Sequence, residues 1–201
     1  MSNIAKVDAE KYACEDAGYK RMWRAVDAKC QALFNKQSGS TKAADFIREQ
    51  CGRLFKIPNA TRWGSRFFAY ERLKDMLETS KDRLGAVMDN FGFRRFSDDE
   101  FNFIQDYITV FDPFVRALNV FQGETNTYIG VLLPVLTNLK KTLHSQSMNN
   151  RSCKALAAAL IKGIDTRFSA DFVNDNFYIA AGWYYFIRSL RCSTSLMTLL
   201  V

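Results

Sequence analysis

Residues 97–118 hold the pattern that most restricts the fold. Ser97-Asp98-Asp99-Glu100 is a capping box, in which a Ser at the N-cap and a Glu three residues on satisfy amides that a first helical turn leaves open. Behind it Phe101, Ile104, Ile108, Phe111, Val115 and Leu118 recur every three or four residues. Phe103, Tyr107, Val110 and Phe114 add a second apolar stripe. A helix with two such stripes cannot lie on a surface, because more than one neighbour must cover it. Only 3 Pro and 10 Gly in 201 residues disfavour a turn-rich β fold. No segment alternates convincingly as a strand does. The expected class is all-α.

Neighbours for that helix are legible elsewhere. Tyr19, Met22, Trp23, Val26, Cys30, Leu33 and Phe34 share helical spacing over 19–34, and Gln37-Ser38-Gly39-Ser40-Thr41 breaks the pattern. Ser40 is a fair N-cap for a short helix to about Cys51. Leu54-Phe55-Lys56-Ile57 reads as brief extended chain ended by Pro58. Asn59 or Thr61 can cap the next helix, whose inner face would be Trp63, Phe67, Tyr70, Leu73 and Leu77. Residues 89–96 read as a loop. Pro113 should kink or split the central helix, since it removes a backbone donor. After a turn at Gly123, Ile129, Leu132, Leu133, Leu136 and Leu143 continue as a helix with Pro134 as a second kink point, and Ser145 to Arg151 reads as loop. Leu156, Leu160, Ile164 and Phe168 give the last clear amphipathic helix. The stretch from Trp183 to Val201 is apolar without a clean period. Residues 1–182 are therefore expected to form the helical domain and 183–201 a divergent C-terminal tail.

Charge divides the chain more sharply than any motif. Residues 1–96 carry nineteen Lys and Arg against twelve Asp and Glu, whereas 97–201 carry nine of each. The whole net charge of +7 thus belongs to the first half. A basic half (1–96) beside a neutral one (97–182) points to one face that meets polyanions. With 48% hydrophobic and 24% charged residues, the balance is that of a globular protein, not of a disordered chain. Cys14, Cys30, Cys51, Cys153 and Cys192 show no metal-ligand spacing, and with one histidine, His144, no zinc set is available. Apolar helical settings make these cysteines expected reduced, buried thiols. Lys6, Asp8 and Glu10 precede any apolar run, so no signal peptide is expected, and no apolar run reaches transmembrane length.

The densest chemistry lies in Pro58-Asn59-Ala60-Thr61-Arg62-Trp63-Gly64-Ser65. Arg62 offers a planar fork of donors to a phosphate, and Trp63 a face on which a base can stack. An Arg-Trp string of this kind, followed by an amphipathic helix, resembles a hallmark of the hAT superfamily of DNA transposases. The resemblance extends through Ile4 to Ala9, Ala28 to Lys36, Ser40 to Ala44, Phe114 to Gly123, Val131 to Leu136 and Ile164 to Phe168, in family order. Two departures stand out. Gly64 replaces the family's usual Asn, and Gly182-Trp183-Tyr184-Tyr185-Phe186 replaces the segment that follows in family members.

What the resemblance implies is a helical bundle corresponding to the domain inserted into the family's RNase H-like catalytic core. It implies Arg62 and Trp63, with Thr61, as DNA contacts. Arg66, Lys20 and Arg24, with Arg21 beside them, are weaker phosphate candidates read from charge. The core's three metal-binding carboxylates fall outside the matching stretch. No catalysis, metal or cofactor is therefore expected of this chain. Asp98, Asp99 and Glu100 read as favourable helix-start acids, Glu15 and Asp16 as a solvated face, and His144 as a surface residue. DNA is the expected partner and the nucleus, or else the cytoplasm, the expected location, with no membrane or small-molecule substrate. The alternative is a helical scaffold that binds a second copy or another protein, motivated by the two stripes of 101–118 and by the tail, or an element remnant without activity.

Overall fold

The computed structural model describes residues 11–59, 64–122, 129–149 and 152–183. Among these residues every regular element is helical and there is no strand. The helices are α1 (Ala17–Gly39), α2 (Thr41–Cys51), α3 (Ser65–Thr79), α4 (Lys81–Asn90), α5 (Asp98–Gln122), α6 (Leu132–Asn149) and α7 (Lys154–Phe168). Short 3-10 turns lie at Ile129–Val131 and Asp171–Val173, and residues 175–183 are again helical.

Helix α5 is the hub, packing against α1, α3, α6 and α7. Its capping box forms as expected. The Glu100 amide donates to Ser97 Oγ at 3.2 Å, and the Ser97 amide donates to Glu100 Oε2 at 2.8 Å. That carboxylate also accepts from Lys29 Nζ of α1 at 2.6 Å, which turns a local cap into a tether between distant elements. Both stripes are covered. From α1 and α3, Tyr19 meets Phe103 at 5.5 Å between ring centroids, and Trp23 and Tyr70 meet Tyr107 at 5.5 and 5.2 Å. One hydrophobic core runs from Ala13 to Ile164, through both the basic and the neutral half of the chain.

Several local expectations change. Helix α1 does not break at Gln37. It continues to Gly39, and Ser40 alone ends it while its hydroxyl accepts from the Ala43 amide to start α2. Gln37 is buried because its side chain serves as a surrogate strand. Its Nε2 donates to the Phe55 carbonyl at 3.0 Å, and its Oε1 accepts from the Phe55 amide at 2.8 Å. The extended segment at 54–57 thus has both polar groups of its buried residue satisfied, each such bond being worth about 0.5–1.5 kcal/mol net.

Helix α4 has no counterpart among the elements expected from the sequence. Its inner face is only Leu84, Val87 and Met88, with Gly85 where the Arg95 side chain crosses the helix. A Cβ on Gly85 would come within 2.9 Å of the Arg95 guanidinium, which is paired with Asp89. Pro113 does not split α5, which runs unbroken to Gln122. Pro134 is no kink either. It falls in the first turn of α6, where no intrahelical donor is needed. The polar run from Ser145 is the end of α6, which extends to Asn149, and Cys153 then leads into α7. Asp16, read as a solvated acid, is the N-cap of α1 and accepts from the Tyr19 amide at 2.7 Å.

Candidate nucleic-acid interface

Thr61, Arg62 and Trp63, the centre of the expected site, lie outside the described residues, as do Tyr184 to Val201 of the tail. The residues that frame the Arg-Trp string are described. On one side, Ser65 Oγ donates to the Asn59 carbonyl at 2.6 Å. On the other, Gly64 is the N-cap of α3, with φ 66° and no side-chain cap bond, so neither Asn59 nor another side chain among the described residues fills that role. A positive φ favours Gly, so Gly64 suits the backbone at this position. Phe68 packs beside Gly64, and Lys56 lies over its ring at 4.7 Å. Nothing in the sequence pattern singles out Lys56. Its link to the site runs through a ring twelve residues away.

The α1 candidates are exposed. Lys20, Arg21 and Arg24 occupy the outer face of the first two turns, together with exposed Ala17 and Ala28. None of the three side chains is engaged in an ion pair or hydrogen bond among the described residues. Their arrangement opposes helix stability: Lys20–Arg24 and Arg21–Arg24 are like-charge pairs at four and three residues' spacing, which repel.

Arg66 is not simply solvated. Its guanidinium lies over the Trp23 ring at 5.2 Å, and its Nη1 is 3.9 Å from Asp27 Oδ1. Tyr70 donates its hydroxyl proton to the same oxygen at 3.0 Å. At 3.6 residues per turn, Trp23 and Asp27 form the strip of α1 adjoining Lys20 and Arg24. The structure therefore sets Arg66 of α3 against the strip of α1 that adjoins two of the α1 candidates, which its distance in sequence did not reveal. Trp23 itself is buried and belongs to the core.

Asp98 pairs with Lys81 at 2.8 Å, and that partner holds its carboxyl below the usual range. His144 is exposed on α6. Cys30, Cys51 and Cys153 are buried and Cys14 partly so, with no disulfide among them, while Cys192 lies outside the described residues. Burial pushes the Cys30 and Cys153 thiols far above their ordinary range, so neither is an activated nucleophile. Among the described residues no group of three His, Cys, Asp or Glu side chains converges as a metal site, and no helix is long and apolar enough to cross a membrane. Set against protein-family models, curated proteins and solved structures, the chain finds no match in any of the three.

Proposed function

We propose that this chain is a DNA-binding helical module of the hAT transposase type, catalytically incomplete, whose basic face holds the phosphate backbone. The observation that carries this reading is the placement of Lys20, Arg21 and Arg24. Three cations without a partner among the described residues crowd one exposed face near the start of α1, where their mutual repulsion disfavours them. Such a face gains when phosphates replace its counterions. Arg66 adjoins the strip of α1 next to this face, and in sequence it follows the Arg62-Trp63 pair, which the family resemblance marks for DNA, by three residues. Binding of a short duplex, followed by fluorescence anisotropy over a salt series, tests the reading. The triple variant Lys20→Ala/Arg21→Ala/Arg24→Ala is expected to bind more weakly, with a salt slope shallower by about 0.9 for each phosphate it no longer neutralises. An unchanged slope sinks the proposal.

The scaffold alternative is left with a single motive, because both stripes of 101–118 are covered within the chain. What favours it is the apolar end of the described chain, where Val173, Tyr178, Ile179 and Trp183 are all exposed. On that reading a second copy buries this end. Sedimentation equilibrium over a concentration series should then show a dimer that Tyr178→Asp/Ile179→Asp abolishes. A monomer throughout would rule out the second copy as the partner.

A further inference from the structure

Asp27 sits where α1 meets the first turn of α3, and it binds two partners unequally. The Tyr70 hydroxyl donates to its Oδ1 at 3.0 Å, from a ring that is buried in the core. Burial holds the Tyr70 phenol in its protonated form, so it remains a donor. Arg66 Nη1 approaches the same oxygen only to 3.9 Å, beyond hydrogen-bond range, and the two side chains remain 29% and 27% exposed. The carboxylate is thus fixed by the core, while the guanidinium meets it through a looser Coulomb attraction and rests on the Trp23 ring. Arg66 also stands in the first turn of α3, where the helix dipole gives a cation no support.

We propose that Asp27 is an internal substitute for a DNA phosphate: it occupies Arg66 in the free protein and gives it up when the backbone reaches the face of Lys20 and Arg24. This inference rests on the DNA-binding reading above. Arg66 already lies over Trp23, on the strip of α1 that adjoins Lys20 and Arg24 by helical spacing. Asp27 cannot follow, because Tyr70 retains it. Its charge stays near the bound phosphates and weakens the complex. Asp27 is then a positioning residue that restrains affinity and speeds release.

A double-mutant cycle over a salt series, read by anisotropy on a short duplex, tests this with Asp27→Asn, Arg66→Gln and the pair. Asn keeps an acceptor for Tyr70, and thermal melts of each variant check the fold. Asp27→Asn is expected to bind roughly three- to tenfold more tightly at each salt concentration, because Arg66 then has no carboxylate to leave, with the salt slope little changed because Arg66 meets the phosphate in both proteins. In the Arg66→Gln background most of that gain should vanish. An equal gain in both backgrounds would mean only that a negative charge was removed, and it overturns the exchange, as does no gain at all. Failure of the wild type to bind, or indifference to the triple α1 variant, instead overturns the DNA reading and the exchange with it. A second measurement uses the wild type alone. The Arg66 Nε–H resonance, assigned by its absence in Arg66→Gln, should shift on duplex addition, and a stationary signal refutes the proposal.

Discussion

Tyr107→Ala is expected to lower the unfolding free energy by about 3–5 kcal/mol, the range for deleting a large ring from a close-packed interior. Tyr107 is completely buried and lies within 5.5 Å, centroid to centroid, of Trp23, Tyr70 and Phe111. Those three rings come from α1, α3 and α5, so the void would open where three helices converge. Collapse into it is difficult, because each ring is anchored on a different element and cannot shift without moving its helix. Tyr107→Phe keeps the ring and isolates the hydroxyl, and it should cost far less. Urea unfolding followed by tryptophan fluorescence separates the two variants, and the midpoint should fall with the slope unchanged. In a chain of this size the melting temperature should drop by roughly 6–20 degrees. A destabilisation below about 1 kcal/mol for Tyr107→Ala would contradict this account of the core.

Lys29→Met is the second large effect, with an expected cost of about 2–4 kcal/mol. Lys29 Nζ donates to Glu100 Oε2 at 2.6 Å and to the Arg95 carbonyl at 2.9 Å. The two side chains of the pair are only 18% and 11% exposed. Removing the cation leaves the Glu100 carboxylate largely desolvated, with the Ser97 amide as its remaining donor. The penalty therefore comes chiefly from the charge left behind, not from the worth of the pair. Lys29→Met/Glu100→Gln should recover a good part of the stability, because neither buried group is then ionised. Denaturant titration of the two single variants and the double variant gives the coupling energy. A double variant as unstable as the sum of the singles would show that the two residues act independently.

How much of this was legible depended on sequence distance. The Ser97–Glu100 box and the Ser40 cap act within four residues, and both are where the pattern placed them. The inner face of α3, with Phe67, Tyr70, Leu73 and Leu77, was also plain from its period. Helix α4 escaped because Leu84, Val87 and Met88 are too few to define a period. Gln37 looked like a breaker because its partner, the Phe55 backbone, is eighteen residues on. Pro134 could be placed only by knowing where α6 begins, since the same residue is harmless in a first turn and disruptive in the next. The polar end of α6 needs no apolar residue, so its period faded before the helix did. At the candidate interface, exposure of Lys20 and Arg24 followed from charge, but the attachment of Arg66 to Asp27 and Trp23 joins two helices far apart in the chain. Patterns local in the chain do not carry such pairings.

The charge boundary near residue 96 has no counterpart inside the protein. Tyr19, Trp23 and Tyr70 on its basic side lean on Phe103 and Tyr107 on its neutral side. A shortened polypeptide ending at residue 96 would keep Lys20, Arg21, Arg24 and Arg66 and still forfeit the surface they form. The uncharged half is the wall against which the charged half acquires its shape.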